Sequence, residues 1–257
     1  MKFLKQEINL FFLALGFFSR ISMPAWVEYS PERLNAASRY FCAVGWLLGA
    51  LVAACFYLAH TIFSLNISLW LAMIFSLLLT GAFHEDGLAD TADGCGGGFT
   101  RAQKLSIMKD SRIGTYGASA LLMALLGKYL LLAETLDIVV SLVLAYSLSR
   151  CLAASLIFSM NYVTDPDSGK SKPLANNQSR RDLVILLISA LPVLFFLSWQ
   201  SSLTLAILMF TIRSCTKFYF NRQLGGYTGD ALGAAQQISE LSIYALLLIL
   251  QQHSGVF

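Results

Sequence analysis

The chain has 257 residues, of which 56% are hydrophobic and only 13% are charged, and its mean hydropathy is +0.64. Because soluble globular domains carry about 25% charged residues, this composition argues against a soluble domain and favours a polytopic membrane protein. The formal net charge of +3 is too small to indicate a nucleic-acid partner, and the five cysteines include no CxxC pair that would suggest a zinc site.

The amino-terminal stretch "EINLFFLALGFFSRI" (7–21) is apolar but short for a membrane span. If it crossed the membrane, Lys2 and Lys5 would lie outside, so an interfacial or re-entrant helix is favoured over a crossing. Seven later segments are long and apolar enough to span: 40–63, 67–83, 115–133, 138–160, 183–199, 202–220 and 231–250. We predict one all-α integral-membrane catalytic domain over 1–257, with about seven transmembrane helices plus an amino-terminal interfacial helix.

The connections between these segments alternate between two kinds. The short ones contain no Lys or Arg, whereas the longer ones hold nearly all the loop Lys and Arg; the longer ones are 19–39, 84–114, 161–182 and 221–230. The positive-inside rule places basic loops in the cytoplasm. The sequence therefore predicts a cytoplasmic amino terminus, an outward-facing carboxyl terminus and an active site at the cytoplasmic face, with membrane lipid around the helices.

Acidic residues are concentrated directly after the second predicted span, in "HEDGLADTADG". Asp86, Asp90 and Asp93 follow one another at spacings of four and three, which puts them on one helical face. Like charges at this spacing repel each other, so we predict that they bind Mg²⁺, which takes carboxylate oxygens and bridges to substrate phosphates. The alternative is a solvated acidic face. His84 is a candidate general base or, equally, a structural residue.

The stretch "KDSRIGTYG" closes the same basic loop and begins the third predicted span. Asp110 could add a carboxylate, and Arg112 could bind a phosphate through two hydrogen bonds. Gly114 and Gly117 would allow a substrate to approach a helix start, where backbone N–H groups favour anions. An ordinary entry from a loop into a helix is the alternative.

The stretch "GGYTGDALGAAQQISE" precedes the last predicted span and repeats this pattern. Thr228, Gly229 and Asp230 lead into a helix, with Asp230 as a further candidate metal ligand. Gln236 or Gln237, Glu240 and Tyr244 recur along that helix at spacings of three and four. Because ionisable groups inside a span usually face a functional interior, Glu240 is a candidate substrate-binding residue, the alternative being a structural ion pair.

Two further basic positions are candidates for binding anionic substrates. Arg150 lies in the middle of the apolar segment "AYSLSRCLAAS" and could bind a phosphate or neutralise a buried carboxylate. Lys170 lies in a basic loop that could form a lid over the substrates, although inside-positive charge explains it equally well. The surrounding "GKS" lacks the upstream glycine and strand of a P-loop, which excludes that motif.

The three motifs resemble those of the cobalamin synthase family, the adenosylcobinamide-GDP ribazoletransferases. Residues 80–94 match the family pattern TGxxHxDGLADTxDG, 110–117 match DSxxGxxG, and 225–240 match GGxTGDxLGA with a downstream Glu. The stretch "FFSRISMP" resembles the family's aromatic amino-terminal segment and adds Arg20 as a substrate-binding candidate. Glu85 and the "CGGGF" after the acids depart from the family pattern.

The resemblance implies transfer of the phospho-cobinamide group of adenosylcobinamide-GDP to α-ribazole or its 5′-phosphate, with release of GMP, in the bacterial inner membrane near other cobamide-pathway enzymes. In that reaction Asp86, Asp90, Asp93 and Asp230 would hold Mg²⁺, Asp86 and Asp90 would act catalytically, and His84 or a carboxylate would accept the ribazole proton. Two alternatives stay open at this point: a CDP-alcohol-type phosphotransferase of phospholipid synthesis and a divalent-cation transporter.

Overall fold

The computed structural model describes residues 2–163 and 177–254, which fold almost entirely as helices. No strand forms within these ranges, although an isolated parallel bridge joins Tyr162 to Tyr227. Short 3-10 turns cover Ser38–Tyr40 and Leu191–Phe195. The helices are α1 Lys2–Phe18, α2 Pro31–Ala37, α3 Phe41–His60, α4 Leu65–Thr80, α5 Phe83–Gly97, α6 Arg101–Ile107, α7 Thr115–Glu134, α8 Ile138–Ile157, α9 Arg180–Ile188, α10 Trp199–Leu224 and α11 Gly229–Ser254.

The predicted helical, multi-pass class is confirmed, but the predicted count of seven spans is not. Within the described residues, five helical segments are long and apolar enough to cross a membrane, namely Pro31–His60, α7, α8, α10 and α11, and the bent pair α4–α5 would make a sixth. The difference lies at 183–199. There α9 is only nine residues long and gives way to a 3-10 turn containing Pro192, which prevents a continuous helix of spanning length.

Helix α8 lies at the centre of the bundle, between α3 and α11, and 83% of it is buried. Two glycines let α3 approach it closely. A Cβ atom at Gly45 would lie 2.5 Å from the Cα atom of Ser147, and one at Gly49 would lie 3.0 Å from the Cα atom of Val143. By contrast, α7 and α10 are only 22% and 17% buried, as expected of helices that face lipid.

The acidic residues lie on a helix of their own, because the chain bends by 84° between α4 and α5. Gly81, with φ 67°, and Ala82, with φ 54°, both adopt the left-handed conformation at the bend. Glycine adopts this conformation readily and alanine does not. The predicted second span therefore does not simply end in a loop; it ends at Thr80, and α5 begins in a new direction.

A buried arginine attaches the amino-terminal helix to the bundle. Nη1 of Arg39 donates to both carboxylate oxygens of Glu7 at 3.1 Å, and its Nε donates to Oδ1 of Asp182 at 2.7 Å. Leu10, Leu13 and Ala14 of α1 are buried in the core. At 17 residues, α1 is not among the helices that could span, and its position relative to a bilayer stays a prediction.

Replacing Arg39 by Met is expected to destabilise the fold by about 3–5 kcal/mol, because it leaves the buried Asp182 without a counter-charge and Glu7 with only the exposed Arg181, 3.6 Å away. Arg33→Met is the matched control. Arg33 pairs with Glu28 at the surface, where the two side chains are 37% and 69% exposed, and such pairs contribute about 0–1 kcal/mol. Thermal unfolding in detergent measures both variants. Equal melting temperatures for Arg39→Met and the wild type would contradict this account of how α1 is held.

Candidate active site

The three aspartates predicted to share one helical face do so on α5, which is continuous over Phe83–Gly97. Their exposure falls along the helix: Asp86 is exposed, Asp90 is half-buried and Asp93 is buried. The helix therefore presents two carboxylates outward and turns the third into the protein.

The second acidic motif lies against the first through a glycine contact between α5 and α11. A Cβ atom at Gly87 would be 2.8 Å from the carbonyl oxygen of Asp230 and 3.2 Å from the Cα atom of Gly233. A Cβ atom at Gly233 would be 3.2 Å from the carbonyl oxygen of His84. The missing side chains let the two backbones touch, and this brings the first turn of α11, with Asp230, beside the stretch of α5 that begins with Asp86.

Asp93 binds the start of α7. One of its carboxylate oxygens accepts a hydrogen bond from the backbone N–H of Gly114 at 2.7 Å, and the other accepts from Gly117 at 2.8 Å. A negative charge at this end of a helix is favourable. In the structure Gly114 and Gly117, which were predicted to contact substrate, bind Asp93 and give it a helix-capping role. Its role as a metal ligand stays a prediction.

Gly117→Ala is expected to lower both stability and activity, because its Cβ atom would overlap the Asp93 carboxylate and lie 2.8 Å from the carbonyl oxygen of Ala89. Relieving such overpacking costs about 1–3 kcal/mol. Gly127→Ala, on the same helix, is the matched control, since its Cβ atom would meet only a Leu241 methyl group at 3.8 Å. Unfolding curves for the two variants check this; a Gly117→Ala protein as stable as Gly127→Ala would show that the cap is not needed.

The donor set on α5 and α11 fits Mg²⁺ bound together with a phosphate substrate. Within the part of the chain that the structure describes, no three His, Cys, Asp or Glu side chains converge as a ready-made metal cage. Mg²⁺ seldom needs such a cage; it binds through one or two carboxylates, several waters and substrate phosphate oxygens. Asp86 and Asp90, with Asp230 on the adjoining helix, would supply oxygen ligands of that kind.

Glu240, predicted to bind substrate, lies in a buried ion pair instead. It is 1% exposed, and its Oε1 lies 2.8 Å from Nζ of Lys128 and accepts from the hydroxyl of Tyr244 at 3.1 Å. Its Oε2 accepts from Nε2 of Gln236 at 2.5 Å. Gln236 is fully buried and donates also to Ser149 at 2.9 Å. The structural alternative weighed for Glu240 is therefore the one observed, and Gln236 belongs to the same network.

Sequence reasoning missed one member of this network, Lys128, and left open whether Gln236 or Gln237 shared the polar side of α11; both belong to the network. Lys128 is 4% exposed and also lies 3.8 Å from Oε1 of Glu85, which accepts from Nε2 of Gln237 at 3.2 Å. The sequence did contain a signal for Lys128, because it is the only Lys or Arg between 115 and 133. Ionisable residues inside membrane spans usually face the protein interior and pair with another polar group. Glu85, the departure from the family pattern, pairs with it.

Arg150 and His84 are buried together rather than presented to a substrate. They are 2% and 3% exposed and line a cavity of about 20 Å³ with Phe18 and Phe83, which has room for one water but not for a diphosphate. Nη1 of Arg150 donates to the carbonyl oxygen of Tyr146 at 2.9 Å, and the His84 ring stacks on Phe18. The predicted phosphate contact and general base are therefore not supported by these positions.

The remaining candidates lie at the edge of the site or outside the described residues. Asp110 and Arg112 form an exposed ion pair, with Nη2 of Arg112 at 2.6 Å from Oδ2 of Asp110. The guanidinium lowers the pKa of Asp110 to about 2, so this carboxylate stays ionised at any physiological pH. The Thr228 hydroxyl accepts from the N–H of Ala231 at 3.1 Å at the start of α11.

Arg20 is exposed, and its guanidinium lies against Gly81 at the bend before α5. Gly229 opens α11 and lines the small cavity beside Arg150. The structure thus places both Arg20 and Gly229 near the start of α5. Lys170 lies outside the described residues.

The fold and site define a class of protein: a helical, multi-pass membrane protein in which the acidic segments of two different helices, α5 and α11, pack backbone against backbone. Comparison with known families then identifies the chain, which matches the Cobalamin-5-phosphate synthase family over residues 10–248 and belongs to it.

Curated relatives match along almost the whole chain. An adenosylcobinamide-GDP ribazoletransferase of Vibrio cholerae is 55% identical over 254 residues, covering 97% of each chain. One of Shewanella woodyi is 51% identical over 253 residues, covering 96% of this chain and 98% of its own. No solved structure matches significantly.

Proposed function

We propose that the chain transfers the phospho-cobinamide group of adenosylcobinamide-GDP to α-ribazole or α-ribazole 5′-phosphate and releases GMP. The observation that carries this proposal is near-full-length identity of 50–55% to proteins named adenosylcobinamide-GDP ribazoletransferase. The geometry suits the chemistry, because an alcohol attacks phosphorus in a diphosphate, and such transfers depend mostly on positioning and on neutralising charge.

Asp86 and Asp90 of α5, with Asp230 of α11, are the residues we propose for binding Mg²⁺ together with the diphosphate. When bound, Mg²⁺ would supply Lewis-acid stabilisation of the charge that develops on the phosphate oxygens. Asp93 holds the start of α7 and so fixes the far end of α5. Because His84 is buried, an exposed carboxylate, Asp86, is the better candidate to accept the proton of the ribazole hydroxyl.

We further propose that this site lies at the cytoplasmic face of the bacterial inner membrane, surrounded by lipid and near other enzymes of the pathway. The support is the distribution of basic residues in the alternating loops. GDP-activated substrates are found in the cytoplasm, so the proposed orientation also brings the carboxylates to the compartment that holds the substrate.

The two alternatives have weaker support. The CDP-alcohol phosphotransferases share an Asp-Gly-x-x-Ala-Arg core, and aligned on Asp86 this chain has Asp90 and Thr91 where that core requires Ala and Arg. A divalent-cation transporter would need charged groups along a path through the membrane. The buried charges Glu85, Lys128 and Glu240 instead contact one another in a closed cluster.

Purified protein in lipid nanodiscs tests the proposal directly. The assay supplies adenosylcobinamide-GDP, α-ribazole 5′-phosphate and Mg²⁺ and measures GMP release by chromatography. We expect GMP and the corrinoid product in equal amounts, and none when the ribazole is replaced by a diacylglycerol or glycerol phosphate. If the protein instead formed a product from a CDP-activated lipid and released no GMP, it would be a CDP-alcohol phosphotransferase. If it formed neither product but carried metal ions into sealed vesicles, it would be a transporter.

A further inference from the structure

A buried ionic cluster joins three helices next to the proposed site. Lys128 of α7 lies 2.8 Å from Glu240 of α11 and 3.8 Å from Glu85 of α5, and none of the three side chains is more than 6% exposed. Removing charges from water is costly, and attraction between them offsets that cost only when the geometry is good. The cluster therefore holds α5, α7 and α11 in one arrangement and disfavours others.

This cluster is adjacent to the proposed site along α5. Glu85 immediately precedes Asp86, and Gly87, which immediately follows, contacts the backbone of Asp230 on α11. Asp86 is therefore fixed from both sides: by the ionic contact at the residue before it and by the backbone contact at the residue after it. Any shift of Glu85 must move Asp86 as well.

Glu85 depends on few contacts for its position. Its Oε1 is the atom that faces Lys128 and accepts from Gln237, whereas its Oε2 is buried with no hydrogen-bond partner among the described residues. Glu240, in contrast, receives hydrogen bonds at both oxygens, from Tyr244 and from Gln236. Without Lys128, Glu85 would lose its counter-charge and keep one neutral donor, so we expect the α5 side of the cluster to move first.

We propose that Lys128 is a positioning residue of the transfer reaction: by binding Glu85 and Glu240 together it sets the register of α5 against α11 and keeps the α5 backbone at Gly87, next to Asp86, against the α11 backbone at Asp230. The proposal rests on the proposed function for the role of those aspartates. The register of α5 against α11 is a structural property, and it can be measured independently of the GMP-release assay.

The test compares Lys128→Met with Arg39→Met, the matched control. Arg39 also pairs with two largely buried carboxylates, but these are Glu7 of α1 and Asp182 of α9, neither of which belongs to the Lys128 cluster. For Lys128→Met we expect kcat for GMP release to fall about 100-fold or more, with KM for adenosylcobinamide-GDP within about threefold of wild type. For Arg39→Met we expect lower thermal stability, with kcat of the folded protein within about threefold of wild type.

A second measurement follows the register itself. Spin labels at Gly97→Cys on α5 and Ile249→Cys on α11, with the five native cysteines replaced by Ala, give a distance distribution by pulsed EPR. Both positions are exposed, and a side chain at Gly97 would meet no atom closer than 3.6 Å. We expect the distribution to shift or broaden in Lys128→Met and to stay unchanged in Arg39→Met.

A third variant covers the case in which Lys128→Met fails to fold. In Lys128→Met/Glu240→Gln the excess buried charge is removed, so folding should recover while kcat stays low, because Glu85 still lacks its partner. Full recovery of kcat in this double variant, or an unchanged spin-label distance in either Lys128 variant, would overturn the proposal. If the wild type released no GMP, the proposed function would fail, and the spin-label distances would still decide whether Lys128 sets the register.

Discussion

Replacing Asp90 by Asn is expected to reduce GMP release by about 100-fold or more while leaving the protein folded, since preorganised charge at a reacting group contributes on that scale. Asp90 occupies the middle of the α5 row, between exposed Asp86 and buried Asp93. Asparagine has nearly the same size, so the packing of α5 should survive. The loss of negative charge removes a ligand for Mg²⁺ and should show as lower kcat/KM in the nanodisc assay.

Glu134→Gln is the control for Asp90→Asn. Glu134 ends α7 at the opposite end from the Gly114–Gly117 cap that binds Asp93, so its neutralisation removes a carboxylate of similar type without touching the site. We expect wild-type turnover from it. If Asp90→Asn turned over at the wild-type rate, the assignment of the aspartates on α5 to the metal and diphosphate would be wrong.

Gly87→Ala is expected to lower both the rate of GMP release and the stability of the protein. Its Cβ atom would lie 2.8 Å from the backbone carbonyl oxygen of Asp230, and a backbone atom cannot move aside as a flexible side chain can. The contact between α5 and α11 must therefore open. A displacement near 1 Å at a site of this kind costs about 100-fold in rate, and overpacking costs about 1–3 kcal/mol in stability.

Gly97→Ala provides the comparison on the same helix. Its Cβ atom would meet only the Ile107 side chain, at 3.6 Å, so we expect wild-type turnover and equal or slightly greater stability, because Ala favours helix over Gly by up to about 1 kcal/mol. Rates and melting temperatures measured side by side separate the two cases. Similar rates for Gly87→Ala and Gly97→Ala would show that the close approach of α5 and α11 is not needed for catalysis.

Much of this architecture could be predicted from the sequence because it depends on local properties of the chain. Apolar runs identify most of the membrane helices, and the spacing of Asp86, Asp90 and Asp93 places them on one helical face whatever surrounds them. The three motifs were sufficient to indicate the family. The comparisons confirm that family and the general activity, while Mg²⁺ and the roles of individual residues stay proposals.

What the sequence could not show depends on contacts between distant segments. The bend at Gly81 and Ala82 separates α5 from α4 and requires two consecutive residues in the left-handed conformation. The sequence does not predict this conformation at Ala82, because alanine rarely adopts it. The 183–199 segment has the hydropathy of a span, but α9 ends at Ile188 and a 3-10 turn containing Pro192 follows it.

The partners of buried polar residues were equally hidden from the sequence. The spacing of polar residues placed Glu240 on a polar helix face but could not show whether its partner is a substrate or Lys128. Lys128 lies 112 positions earlier in the chain but only 2.8 Å from Glu240 in space. Likewise, the two glycines of the DSxxGxxG motif suggested an anion from solution, and the anion they bind is Asp93. In each case the polar partner is supplied from within the fold.

Metal rescue tests the central claim most directly, namely that α5 and α11 hold one metal-bound diphosphate between them. Asp90→Cys and Asp230→Cys would each replace an oxygen ligand by a sulfur ligand, which binds Mg²⁺ poorly and Cd²⁺ well. The account predicts that GMP release by both variants is lost with Mg²⁺ and returns when Cd²⁺ or a Mg²⁺/Cd²⁺ mixture is supplied, while the wild type gains nothing from Cd²⁺. Rescue at neither position in folded protein, or rescue at only one of the two helices, would contradict a shared site.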